Sequence, residues 1–276
     1  MLNKALNVGI FGCGWLGQPL ARRLIQSGHE LIGSTTRASQ LAVLSALGVR
    51  PIILDLRQHP LATNNYPMLR QLDVILLNIP PKRRDLNAPL FVSQVKEFVD
   101  TLLSLSPNAY VIFVSTTSVF GNATQAVNED SPTCPNTASG HAHVELEQFI
   151  LNQSKGSVVR LAGLIDDVRH PITSIVKRET FSNGQQVVNL VHQDDVVSAL
   201  QIIIERQLAG ATMHLCAPEH PTREDYYQYA AQQRLLTFPP IIPDPNSTPH
   251  GKVVLAQKTQ QLLGFEYQYK SPFDMV

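Results

Sequence analysis

An apolar run, Leu6 to Phe11, passes directly into Gly12-Cys13-Gly14-Trp15-Leu16-Gly17, and from there into Leu16 to Ile25, where apolar residues recur at helical spacing. A strand that becomes a helix through glycines spaced G-x-G-x-x-G constrains this chain more than any other feature. Gly12 permits a tight turn, Gly14 lets a bound group approach the backbone, and Gly17 lets helix and strand pack closely. The helix start leaves N–H groups without intrahelical partners and carries a partial positive charge, which together suit a pyrophosphate. Read this way, the turn predicts dinucleotide binding, with Gly12, Gly14, Trp15, Leu16 and Gly17 at the cofactor. The plainer alternative is an ordinary tight turn.

The alternation continues along the chain. Strand-like runs at Glu30–Gly33, Pro51–Leu54, Asp73–Ile79, Tyr110–Ser115 and Ser157–Leu161 are separated by helical patterns that include Ala38–Leu47, Leu90–Leu105 and His141–Leu151. Such βαβα order implies right-handed crossovers and helices on both faces of a sheet. The expected fold class is α/β, a doubly wound parallel sheet of Rossmann type over residues 1–164. From Ile165 the regularity loosens, with a short strand at Val187–Val191, a helix from Asp195 to Arg206, and a run at Met213–Cys216. Pro239, Pro240, Pro243, Pro245 and Pro249 exclude regular structure and mark a loop or lid before a last helix at Ala256–Leu263. Residues 165–276 are expected to form a smaller C-terminal α/β substrate lobe, with 187–206 packing back on the sheet.

Composition removes several function classes. The 276 residues are 43% apolar and 16% charged, so the chain should fold compactly into about two structural units or one large one. Lys plus Arg (22) balance Asp plus Glu (22), which leaves no net field to attract nucleic acid or an anionic membrane. Apolar runs such as Val74–Leu77 fall far short of the roughly 20 residues that a membrane helix needs. Cys13, Cys134 and Cys216 are odd in number and far apart, giving neither a disulfide framework nor zinc spacing. The N-terminal segment reads as a first strand rather than a secretory leader, and a cytoplasmic location is expected. The partner classes left are a small-molecule substrate or effector, with a homodimer open and no metal called for.

Two hydroxyl-rich segments stand where strands end. After the second strand comes Ile32-Gly33-Ser34-Thr35-Thr36-Arg37, where NAD-preferring sites carry an acidic residue against the ribose. Here Ser34, Thr35 and Arg37 stand instead and suit a 2′-phosphate, so NADP is the expected cofactor and NAD remains open. The simpler account leaves Arg37 pointing into solvent. Ser115-Thr116-Thr117-Ser118-Val119-Phe120-Gly121 lies at the carboxyl end of a buried strand, where open α/β sheets bind ligands. Its alternative is a Ser/Thr turn that satisfies its own backbone.

Together with Asp55-Leu56, Arg160 to Leu164, Asn189 to Asp195 and Leu262 to Tyr269, these motifs resemble the extended short-chain dehydrogenase/reductase family of NAD-dependent epimerases and dehydratases, in particular its YeeZ-like branch. The resemblance covers nearly the whole chain. It implies Asp55 near the adenine, Ile79 and Pro80 beside the ribose, and Ala162, Gly163 and Leu164 near the nicotinamide. It puts Thr116 where the family keeps an active-site Ser or Thr, while Ser115 is a candidate cofactor contact from its place at the strand end. Asp195 reads as a helix cap, and His192 fits either face.

Two departures stand out. Phe11 occupies the first glycine of the family's usual GxxGxxG, and Ser139-Gly140-His141-Ala142-His143 aligns with the family's Tyr-x-x-x-Lys, so both members of that dyad are missing. A serine hydroxyl is too weak an acid to donate unaided, whereas histidine titrates at about pH 6.5. Ser139 and His143, one helical turn apart, are the candidate substitutes; a helix whose Ser and His merely face a cleft or solvent is the other reading. His141 and His143 diverge and make a poor metal pair. Two functions follow as expectations: an NAD(P)-dependent oxidoreductase or epimerase acting on a small polar or sugar-nucleotide-like substrate, and a catalytically weak or inactive NADP sensor.

Overall fold

The computed structural model describes residues 4–56, 66–81, 87–245 and 248–276. Along the chain, β1 (Asn7–Phe11), α1 (Gly17–Gln26), β2 (Glu30–Thr35), α2 (Leu41–Ala46) and β3 (Arg50–Ile53) are followed by α3 (Tyr66–Leu69), β4 (Val74–Leu77), α4 (Ala88–Leu105) and β5 (Tyr110–Thr116). Then come β6 (Ala126–Val127), α5 (Ala138–Leu151), β7 (Gly156–Leu161), β8 (Gly163–Ile165), α6 (Ile172–Ile175), β9 (Leu190–His192) and α7 (Gln193–Arg206). The described elements end with β10 (Thr212–Leu215), α8 (Arg223–Gln233), β11 (Val253–Val254) and α9 (Gln257–Leu263).

A seven-stranded sheet runs in the order β10-β7-β5-β4-β1-β2-β3. The pairs β1–β2, β1–β4, β2–β3 and β4–β5 are all parallel, with Val8 opposite both Leu31 and Val74. Val74 to Leu77 is apolar at every position and wholly buried, as expected of a strand covered on both faces. The chain leaves β1 for β2 and β3 on one side, then returns to β4 and β5 on the other, which makes the sheet doubly wound. The expected α/β, Rossmann-like class is borne out.

The chain divides into two compact units. The first comprises Met1–Val119, Pro135–Val159 and Val197–Thr212; the second comprises Phe120–Cys134, Arg160–Val196 and Met213–Val276. In the first, Val92, Val95, Phe98, Val99 and Leu102 form one stripe of α4 and pack with Leu146 and Ile150 of α5 against Phe11, Ile75, Leu77, Val111 and Phe113. Burying each such side chain is worth about 1.5–3 kcal/mol. The helices start where capping chemistry allows: the Asn87 side chain accepts the Leu90 N–H at 3.2 Å before α4, and Thr137 accepts the Gly140 N–H at 3.0 Å before α5.

The second unit has its own core, built from Ile165, Ile172, Ile175, Phe181, Tyr226, Ala230 and Met275. Here the structure departs from the sequence pattern. Val187 makes only an isolated bridge to Thr222, and the strand proper is Leu190–His192. The helix expected from Asp195 begins at Gln193, and the Asp195 carboxylate accepts the N–H groups of Gln268 at 2.7 Å and Tyr269 at 3.1 Å. It ties a distant segment rather than capping its own helix. Among the described residues no helix is long and apolar enough to cross a membrane.

Candidate functional site

The turn between β1 and α1 is shaped by close backbone approach. Gly12 sits at φ +99°, and a Cβ there would lie 2.1 Å from the Asn78 carbonyl oxygen. Asn78 also donates from its side chain to the Gly12 carbonyl at 3.0 Å and from its N–H to Phe11 at 2.8 Å, so the end of β4 grips the turn. A Cβ on Gly17 would meet the Gly12 carbonyl oxygen at 2.9 Å, the close packing of helix on turn that this glycine allows. Gly14 is different. It is exposed, and a Cβ there meets nothing within 4 Å. α1 starts with neither an acidic residue in its first turn nor a side-chain cap, which suits an anion from outside the chain. These residues fit the pyrophosphate of a dinucleotide: Gly12 and Gly17 are required by the close packing of the turn, whereas Gly14 leaves open space beside it. Trp15 is half-buried and Leu16 buried behind the turn.

The segment after β2 divides its hydroxyls between two tasks. Ser34 is buried, and its Oγ accepts the Gly12 N–H at 2.9 Å while its carbonyl accepts the Cys13 N–H at 2.8 Å. Thr35 Oγ1 accepts the Arg37 N–H at 3.2 Å, and Arg37 itself is exposed. Asp55 and Ile79 are half-buried at the ends of β3 and β4, and Pro80 is exposed. Burial pushes the Cys13 thiol up to about 12, which removes it as a nucleophile near neutral pH.

At the end of β5 a buried polar group forms where sequence spacing pointed only in part. Ser115 Oγ donates to Glu147 Oε1 at 2.5 Å and lies 3.3 Å from His143 Nδ1. His143 and Glu147 are one turn apart on α5, and the Phe113 ring stacks on the imidazole at 5.3 Å. His143 thus lies beside Ser115, while Ser139 sits half-buried in the first turn of α5. Thr116 Oγ1 accepts the Ser118 N–H at 3.2 Å and lies 3.0 Å from Ser118 Oγ, a local hydroxyl turn.

In the second unit, Ala162 is buried and its N–H bonds to Leu215; Gly163 is exposed and its N–H bonds to the Asn189 carbonyl at 2.9 Å; Leu164 pairs with Val191. Tyr226 is fully buried with its hydroxyl 2.6 Å from His170 Nε2, and burial pushes the phenols of both Tyr226 and Tyr227 up. Neither is a usable acid near neutrality.

A family profile described as "NADP oxidoreductase coenzyme F420-dependent" matches residues 7–102. Over 272 residues, 97% of this chain and 98% of the relative, the sequence is 33% identical to protein YeeZ of Escherichia coli K12. The chain belongs to the YeeZ family. Among solved structures, one from Methylobacillus flagellatus described as an NAD-dependent epimerase/dehydratase superposes with a TM-score of 0.78 at 21% identity, covering 99% of this chain and 96% of that one. The UDP-glucose-4-epimerase of Stenotrophomonas maltophila, solved with NAD and formylated UDP-arabinopyranose, gives 0.78 at 17% identity, covering 98% and 95%. This YeeZ-family chain therefore shares the Rossmann-like fold of those structures.

Four residues, two in each unit, escaped motif reading. Asn78 follows an apolar strand with nothing to mark it. Glu147 carries a signal, its spacing of four from His143, which becomes meaningful only once Ser115 is seen beside both. Asn189 holds the backbone of a remote loop, donating to the Lys252 carbonyl at 2.9 Å and accepting the Val254 N–H at 2.8 Å. Lys252 Nζ in turn donates to the carbonyl of Gly121 at 2.9 Å, and burial pushes its ammonium down from the usual lysine range.

Proposed function

We propose that the protein is an NADP(H)-dependent oxidoreductase or epimerase acting on a small polar substrate of the sugar-nucleotide kind. The observation that carries this reading is the β1–α1 turn, where Gly12 is pressed on Asn78, Gly14 has open space and α1 begins uncapped. Arg37, exposed beyond β2 in a stretch without a carboxylate, supports a 2′-phosphate. The substrate class is supported by the Stenotrophomonas relative, which holds a UDP-sugar.

When bound, the nicotinamide accepts and returns hydride. The chain's own task is binding and the matching proton. Gly14 and the first N–H groups of α1 would hold the pyrophosphate, and Arg37 would pair with the 2′-phosphate. Thr116 hydrogen-bonds the reacting oxygen, Ser139 assists at the helix start, and His143 takes and returns the proton. No Tyr/Lys pair shares this work, so turnover should be slow.

The test loads the protein with NADP⁺ or NADPH and screens carbonyl compounds and sugar nucleotides, following nicotinamide absorbance and product mass. Slow turnover of at least one compound is expected, falling about 10²–10⁴-fold in His143→Ala with cofactor affinity retained. Tight NADPH binding without turnover of any compound would favour a cofactor sensor.

A further inference from the structure

The Ser115 hydroxyl has one hydrogen and two close polar neighbours. Glu147 Oε1 is 2.5 Å away and His143 Nδ1 is 3.3 Å away, with the three residues 4%, 2% and 6% exposed. A carboxylate only accepts, so the hydrogen lies between Ser115 and Glu147, where the bond is short and charge-assisted. Ser115 then turns lone pairs toward the imidazole. That contact is favourable only when Nδ1 carries a hydrogen to donate. The stacked Phe113 ring and the helical spacing of His143 and Glu147 hold the imidazole in this orientation.

We propose that Glu147, acting through Ser115, is a positioning residue that keeps Nδ1 of His143 protonated, so that Nε2 is the atom that gains and loses the proton. A Glu–Ser–His chain of this kind selects the tautomer as a carboxylate does for a histidine base, with a hydroxyl interposed. It turns a histidine at the place of the missing lysine into an oriented base. The proposal rests on the reading of His143 as the proton carrier. A protonated Glu147 would reverse every donor in the chain and put the lone pair on Nδ1, so the two arrangements differ at an observable atom.

Long-range proton–nitrogen correlation spectra of the uniformly ¹⁵N-labelled full chain, recorded over a pH series without substrate, decide between them. The His143 ring is assigned by its absence in His143→Gln. In the neutral ring, Nδ1 should be the protonated nitrogen and Nε2 the pyridine-type one. Ser115→Thr, which keeps the hydroxyl, should preserve that pattern. Ser115→Ala should lose the single tautomer, and Glu147→Leu, which frees the serine hydrogen, should move the ring proton to Nε2; the backbone amide spectrum checks each fold. A wild-type ring protonated on Nε2, or a Ser115→Ala ring unchanged from wild type, overturns the proposal. The wild-type spectrum decides even where a variant does not fold. Because no substrate is used, failure of the turnover screen leaves this result standing, and a reversed tautomer leaves cofactor binding untouched.

Discussion

At the scale of single residues, the hydroxyls beyond β2 show how much a motif leaves open. Ser34 and Arg37 both read from sequence as phosphate ligands, yet Ser34 is buried with its Oγ on the Gly12 N–H, and Arg37 stands exposed. Arg37→Ala should therefore weaken NADPH binding by roughly 1.5–3 kcal/mol, the range for a hydrogen bond to a charged group, and leave NADH nearly unchanged. Isothermal titration of both cofactors measures this, and equal losses would contradict it. The three glycines were legible because each has a steric reason that spacing encodes. The Ser115–Glu147 bond was not, because it joins a strand end to the third turn of a helix, 32 residues later, and no local pattern records that meeting.

At the scale of elements, legibility follows periodicity. α4 was readable because Val92, Val95, Phe98, Val99 and Leu102 form one apolar stripe, β4 because it is short and continuously apolar, and β5 because it is apolar from Tyr110 to Val114. α8 has the sequence REDYYQYAAQQ and buries Tyr226, Tyr227, Ala230 and Ala231. Three tyrosines and two alanines among charges and amides do not announce a helix, and packing against Phe181 and Ile175 makes the buried face a core. The strands β6, β8 and β11 are two or three residues long, too short for any period to register. Around β8 and β11 the order comes from Asn189, whose backbone and side chain bond to Gly163, Lys252 and Val254, and a single asparagine in sequence cannot signal that.

At the scale of the whole molecule, the fold stores proton-linked stability in the second unit. Burial holds His170 down to about 4, with the Ile172 N–H bonded to Nδ1 and Tyr226 at Nε2, so the ring is kept neutral. An unfolded histidine titrates at about 6.5, and between these values the unfolded chain binds the extra proton. This contribution is present above about pH 6.5 and is lost as pH falls toward about 4. Denaturant unfolding of the intact chain should show that decline, and His170→Gln should make it shallower, the remainder coming from His214 and His220, which burial also holds down; an unchanged slope would contradict the assignment.

The proposed function requires that the β1–α1 turn hold a nicotinamide dinucleotide. Gly14→Val tests it, because a Cβ at Gly14 meets no neighbouring protein atom within 4 Å, so the substitution intrudes on the space proposed for the pyrophosphate. Titrating NADPH into wild type and Gly14→Val, with thermal unfolding as the control, should give measurable affinity in the first, severe loss in the second, and closely similar melting. Equal affinity in the two proteins would contradict the account.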